Sequence, residues 1–433
     1  MGHCSFFIDM RMGKCLIAIR RVKRWKIDGP ILIITPYSAF DGWQTELPKE
    51  NETEAIELTG TREERKQKLI SGLEDGKRWF MINVEGHRAL PEITGISWSV
   101  VIADESRFLH NPRTDQSKFY INGFDTVPHK ICLSGTPDYH NKLDFYQQLY
   151  FLDRRLLPYK NYWDFRAKAF HACGYDFIIK KSQLTILEKV MAKNCLFLRR
   201  KDVKLGRKKI YRRRLLSLPR KLRPIYKSLE DEYVLEGNPT EKTIYAVRAY
   251  TWMMRLCGGF LNEEYTWLGK VEEIKWLLKN ELNNEQIVIG CRFKKEIDML
   301  TELLNTDAEL IKARISAVHV HGDLTRKKRR ENLNAFRIGR YKILIAQHSI
   351  IAHGVDLKNA TAIIHYSQPM GEEIRDQFDD RIITMSDEET VLIIDLLVKD
   401  TVDLDTRLSH IIHDGERGMF ERTIKRRQAN GIS

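Results

Sequence analysis

The run from Ser99 to Ala103 is short and apolar, and it ends abruptly in two adjacent acids, Asp104 and Glu105. A short unbroken apolar run predicts a parallel strand buried on both faces. Similar runs recur at 5–8, 30–36, 79–85 and 129–137, with helical spacing between them. A second series begins near Gly269, with runs at 286–291, 315–321, 341–346, 362–366 and 390–397. Strands that alternate with helices predict α/β domains built on parallel sheets.

In such folds ligands bind beyond the carboxyl ends of the strands. Asp104 and Glu105 stand at such an end. Two acids there suit nucleotide hydrolysis: one helps hold Mg²⁺, and the other orients and deprotonates the attacking water. Taken alone, the stretch also reads as a strand followed by a solvated acidic turn. The start of the chain changes the balance. The run Ser5 to Ile8 leads into a loop with Gly13, Lys14 and Cys15, then a predicted helix from Ile17 to Trp25. Strand, tight loop and helix is the layout of a phosphate-binding loop, with backbone N–H groups and the Lys14 ammonium facing phosphates. Only one glycine is present, and Cys15 stands where Ser or Thr ordinarily ligates Mg²⁺.

A chain of 433 residues predicts two large domains. Hydrophobic content of 42% and charged content of 30% fit a globular protein rather than a disordered one. No apolar run is long enough to span a bilayer, and no signal peptide is visible, so no membrane partner is expected. Seven cysteines are scattered without a Cys-x-x-Cys pair, which argues against structural zinc and for a reducing compartment. Net charge is +13, and Arg199 to Arg223 carries thirteen Lys/Arg against the single acid Asp202. Clustered cations favour a polyanion partner, although a solvated basic face has the same composition. Residues 142–198 are aromatic at helical spacing (Tyr146, Leu149, Tyr150; Tyr162, Trp163, Phe165), which predicts helix core rather than a base-stacking platform. The expected division is a first lobe over 1–141, a helical protrusion with a basic connecting segment over 142–260, and a second lobe over 261–433.

In order along the chain, these segments resemble the motifs of superfamily two helicase-type motors, and among them the Swi/Snf-like DNA translocases. Asp9 to Cys15 resembles the first motif. Ile33 to Pro36, with Trp43 and Glu46, resembles motif Ia, and Asn83 to Glu85 motif Ib. Asp104 to Pro112, with Lys118, is similar to the family's acid box. Leu133 to Pro137, with Asn141 and Asp144, is similar to motif III. Arg199 to Val203 and Leu218 to Lys221 resemble the segment after the helical protrusion. His321, Gly322, Arg329 and Phe336 resemble motif IVa. Gln347 to Leu357 resembles motif V, and Gln377 to Arg381 motif VI.

The resemblance implies two RecA-like parallel-sheet lobes with a helical insertion, using ATP and Mg²⁺ on double-stranded DNA. It implies that Gly13 and Lys14 contact phosphates, and that Asp104 and Glu105 serve Mg²⁺ and the attacking water. Cys15 would take the hydroxyl ligand's place. Gly354, Asp356 and Gln377 would approach the nucleotide, and Arg381 would stabilise charge developing on the γ-phosphate. Thr35, Ser134, Thr136, His321 and Gln347 would lie along the DNA track or its coupling path. Such contacts to phosphates are independent of sequence and sensitive to salt.

The chain departs from the family pattern at three places. A thiol at Cys15 is a poor ligand for a hard cation. Thr384 occupies the place of a second motif VI arginine. The upstream segment that reads adenine in this family is not in the chain, so base specificity is relaxed or an N-terminal piece is missing. Three readings stay open: a translocase on duplex DNA, a DNA-binding module of motor descent with weak hydrolysis, and a strand-separating or annealing enzyme. The compact motor pattern fits the cytoplasm of a bacterium or a phage-infected host.

Overall fold

The computed structural model describes the chain except residues 1, 10–11, 139–140, 174–175, 200–201, 204–205, 237–243, 262–265, 284, 353–354, 385–388, 414–418, 420 and 427–433. The chain divides into two compact units, Met1–Lys204 and Leu205–Ser433.

The first unit is built on seven parallel strands: β1 (His3–Ile8), β2 (Ile31–Thr35), β3 (Ile56–Glu57), β4 (Trp79–Asn83), β5 (Val100–Asp104), β6 (His129–Ser134) and β9 (Cys195–Leu198). Their order across the sheet is β3-β4-β2-β5-β6-β1-β9. A two-stranded antiparallel hairpin, β7 (Phe170–Cys173) and β8 (Asp176–Ile179), stands apart from the sheet. The apolar runs are continuous because both faces of the sheet are covered. Along β2, Leu32 and Ile34 join one core while Ile31 and Ile33 join another. The second of these cores also takes Ala18, Ile19 and Val22 from the helix Lys14–Trp25, and Phe40, Trp43 and Leu47 from the helix Phe40–Lys49. This packing sets the amino end of the helix Lys14–Trp25 next to the carboxyl end of β5.

The second unit has six parallel strands: β10 (Lys208–Leu216), β11 (Ile287–Cys291), β12 (Ala317–Val320), β13 (Ile343–Gln347), β14 (Ala362–His365) and β15 (Thr390–Val398). Their order is β10-β15-β14-β11-β13-β12. Each unit is a RecA-like α/β lobe. The same alternation of faces holds in the second, where Ile287 and Ile289 face one core and Val288 the other.

Every sheet strand expected from an apolar run is present. The basic segment holds the surprise. Lys208–Leu216 is a nine-residue edge strand paired with β15. Three of its five cations meet acids inside the chain. Lys209 Nζ lies 2.7 Å from Asp380, Arg212 3.0 Å from Glu281, and Arg214 Nε 3.3 Å from Glu273. Arg207 donates to the carbonyls of Lys358, Ala360 and Ile382. Part of the positive cluster is therefore structural. Residues 142–260 are shared between the two units: the helices Asp144–Leu152, Tyr162–Ala169 and Lys181–Asn194 belong to the first, and Arg223–Glu236 and Ile244–Cys257 to the second. The aromatic stripe is core apart from the exposed Trp163, with Tyr146 stacked on Tyr150 and on Phe165.

Candidate active site

The site in the first lobe begins at Gly13. It caps the helix Lys14–Trp25 with φ 80°, a left-handed conformation that glycine adopts without penalty. Among the described residues no side chain caps this helix, and no acid lies in its first turn. Its first N–H groups and the positive end of its dipole are left for an external anion.

Lys14 follows, and its Nζ donates to Glu105 Oε1 at 3.2 Å. Glu105 has φ 50°, unusual for a residue with a side chain. That conformation costs on the order of 1 kcal/mol and, where it persists, points to function. It turns the chain sharply at the end of β5.

Asp104 is buried, and its carboxylate is held by neutral donors. Thr35 Oγ1 donates to Oδ2 at 2.8 Å, Trp43 Nε1 to Oδ2 at 2.9 Å, and the Glu105 N–H to Oδ1 at 3.0 Å. Burial pushes the Asp104 carboxyl above the usual carboxylate range and Glu105 adds to this, while Lys14, Trp43 and Thr35 oppose it. An acid in that state gains from a nearby cation. Cys15 is kept protonated: burial lifts its thiol well above the ordinary value, and Asp104, Glu105 and Glu46 reinforce the rise against Lys14. A neutral thiol is not the thiolate that binds metals.

These residues fit a nucleotide and Mg²⁺. An uncapped helix end with Lys14 suits phosphates. Two acids and no dedicated cage suit a cation held mainly by phosphate oxygens and water. Among the described residues no group of three or more His, Cys, Asp or Glu could hold a metal ion.

Other expected residues fall elsewhere. Thr35 was expected along a DNA track, but it is fully buried and its hydroxyl is spent on Asp104. It belongs to the acid site. Ser134 is also fully buried, and its Oγ accepts the Thr136 N–H at 3.1 Å, which shapes the turn after β6. Thr136 itself is half-buried. Trp43 entered only with the stretch that resembles motif Ia, and its bond to an acid 61 positions away has no local signal. Gln148 is a second residue that sequence reasoning missed. It accepts from Ser106 Oγ at 2.7 Å and donates to the Pro137 carbonyl at 2.7 Å, tying the acid turn to the turn after β6.

In the second lobe, Gln347 ends β13 and its Oε1 accepts the Gly322 N–H at 3.2 Å. His321 is turned inward. It is buried, its ring stacks on His319 at 5.2 Å, and its Nδ1 accepts the Asp323 N–H. It forms the turn rather than presenting a surface. Gln377 is buried; its Nε2 donates to Glu373 at 3.2 Å, and its Oε1 has no hydrogen-bond partner among the described residues. Arg381 is buried and donates to the Ala352 carbonyl, and its own carbonyl accepts the Leu357 N–H. Asp356 is half-buried and its Oδ1 accepts the Lys358 N–H at 3.1 Å. Gly354 lies outside the described residues.

Two parallel-sheet lobes, one with an uncapped helix end beside paired acids, define a nucleotide-hydrolase type of fold. Residues 7–256 match the model of the SNF2-related domain, and residues 269–385 that of the helicase conserved C-terminal domain. The chain belongs to the SNF2-related family of helicase-type ATPases. It is 33% identical over 94 residues to eukaryotic initiation factor 4A of Dictyostelium discoideum, covering 22% of each chain. It is 30% identical over 104 residues to DEAD-box ATP-dependent RNA helicase 14 of Arabidopsis thaliana, covering 24% of this chain and 16% of that one. The matches thus span under a quarter of those two relatives' length. The Sulfolobus solfataricus SWI2/SNF2 ATPase core, solved in complex with dsDNA, is 17% identical with a TM-score of 0.42, covering 98% of this chain and 88% of that one.

Proposed function

We propose that this chain hydrolyses ATP to drive movement along double-stranded DNA. The observation that carries the reading is the convergence of Gly13, Lys14, Asp104 and Glu105 at the end of one sheet. The first-turn N–H groups after Gly13 and the Lys14 ammonium hold the phosphates. Asp104 would hold Mg²⁺, its carboxylate aimed by Thr35 and Trp43. The cation supplies charge neutralisation at the phosphates. Glu105 Oε1 receives the proton of the attacking water, an exchange that requires Lys14 Nζ to turn from it to phosphate. In the second lobe we assign Gln377, Arg381, Asp356 and Gly354 to the nucleotide.

Duplex DNA is favoured by the family and by charge. The helix Arg326–Arg337 opens with five consecutive cations and no acid in its first turn. Cations at that end oppose the helix dipole, a cost that contact with a polyanion reverses. Gln347 and Thr136 are assigned to the same partner.

Steady-state ATP hydrolysis with Mg²⁺, measured alone and with duplex DNA, single-stranded DNA or RNA, tests the reading. Duplex DNA should stimulate most, and Lys14→Ala and Glu105→Gln should each lower turnover by about 10³-fold. Ordinary turnover in both variants would sink the proposal. A second reading, a DNA-binding protein with weak hydrolysis, is favoured by the thiol of Cys15 at the place where the resemblance puts a hydroxyl ligand to Mg²⁺. It predicts salt-sensitive duplex binding with negligible turnover.

A further inference from the structure

A line of three buried side chains crosses the second lobe. His348 Nε2 lies 3.0 Å from His365 Nδ1, and His365 Nε2 lies 2.7 Å from Asp379 Oδ1. All three are at most 2% exposed, so water cannot replace either bond. Burial alone would raise the Asp379 carboxyl, but Arg375 and His365 more than reverse this and hold it well below the usual range. Asp379 is therefore an ionised acceptor. Burial keeps both imidazoles neutral. Only one proton arrangement then satisfies the line: His365 donates to Asp379 through Nε2, and His348 Nε2 donates to His365 Nδ1.

The packing preserves this geometry. The imidazoles lie edge to edge, centroids 5.2 Å apart with 4° between their planes, and Phe378 lies 4.8 Å from one and 5.6 Å from the other. A β-carbon on Gly290, in the neighbouring strand β11, would lie 2.5 Å from His348 Nε2. Arg375 Nε anchors the far end, 3.7 Å from Asp379 Oδ2.

The ends of the line give it meaning. His348 directly follows Gln347, whose side chain holds the Gly322 N–H. Asp379 lies between Gln377 and Arg381 on the continuous run of the helices Glu372–Asp379 and Asp380–Ile382. Apolar contacts would hold these elements together across many small offsets. A directional polar line holds them at one.

We propose that His348, His365 and Asp379 are positioning residues that couple a polyanion contact at Gln347 to the placement of Gln377 and Arg381. The proposal rests on the motor reading above. His365→Phe keeps an aromatic ring in the site and removes both hydrogen bonds. Duplex DNA stimulation of ATP hydrolysis should fall about tenfold through kcat. Hydrolysis without DNA and the duplex Kd should each stay within about twofold, because the variant touches neither ligand. His348→Phe breaks only the first link and should give the same loss. Full stimulation in either folded variant overturns the relay alone. A wild-type protein that duplex DNA does not stimulate overturns the motor reading, and the relay with it. Hydrogen exchange of the wild type adds a test that needs no variant: duplex DNA without nucleotide should slow exchange across 372–382, and unchanged exchange there also overturns the relay.

Discussion

Asp104 in the first lobe and Asp395 in the second are both buried acids on parallel strands, yet their surroundings differ in kind. Asp104 is held by a hydroxyl, an indole N–H and a backbone N–H. Asp395 accepts from Arg375 Nη1 at 2.7 Å and Arg407 Nε at 2.8 Å, with Gln368 completing the set at 3.2 Å. The consequences run in opposite directions. Burial lifts the Asp104 carboxyl. Burial would lift Asp395 too, but Arg375 and Arg407 more than reverse it. A buried acid already matched by arginines serves the fold. A buried acid held by neutral donors is left in need of a cation, and that difference separates the candidate catalytic acid from the structural one.

Substitution of the two acids tests this contrast most strongly. Asp104→Asn should lower ATP turnover by about 10³-fold. Its melting temperature should stay close to wild type or rise, because an acid that burial disfavours has been neutralised. A fall of many degrees would place Asp104 with the structural acids. Asp395→Asn should cost about 3 kcal/mol in denaturant unfolding, because two buried guanidinium groups lose their counter-charge. A stability equal to wild type would break the comparison from the other side.

The pH dependence of the same two variants sharpens it. Asp395 has a lowered folded value, so its contribution is present above the unfolded value and lost as pH falls through the folded one. The deficit of Asp395→Asn should persist from about pH 7 to about pH 4 and close only below that. Asp104 has a raised folded value, so its charged form costs stability and its protonation removes the cost. Any stability advantage of Asp104→Asn at neutral pH should therefore shrink as pH falls through the raised value. Chemical denaturation across this range gives both curves.

Smaller effects come from the groups around Asp104. Thr35→Val and Trp43→Phe each remove one donor to Oδ2. Each should lower kcat by about tenfold, the worth of one hydrogen bond to a charged group. Unchanged kcat would mean that the aim of Asp104 is set by the backbone. Cys15→Thr should act least, lowering the half-saturating Mg²⁺ concentration by about threefold as a hydroxyl replaces a thiol. No change in a Mg²⁺ titration would show that position 15 does not face the cation.

The strands, their order in two series and the acids at the end of β5 were legible in the sequence. They depend on local pattern: a strand covered on both faces needs consecutive apolar residues, and a phosphate loop needs glycine and lysine at a helix start. The helix Lys14–Trp25 and the pair Asp104–Glu105 followed from those patterns. Strands β3 and β9 did not, and nor did β10. Its sequence, Lys208 to Leu216, carries five cations and reads as a solvated run. It becomes a strand by pairing along its length with β15, while Asp380, Glu281 and Glu273, far along the chain, meet three of its cations.

The same reason explains the other differences. Apolar pattern reports which residues avoid water, but not which polar groups meet once they are inside. Thr35 could equally have faced a DNA track until packing set it against Asp104. His348, His365 and Asp379 carry no shared motif, and only the adjacency of β11, β13 and β14 aligns them. The sequence alone determined where the strands lie and which acids end them, since burial along a chain is a local property. Only tertiary structure decided which acids meet arginines and which are left for a cation, since a hydrogen bond is satisfied by proximity in space and not by spacing along the chain.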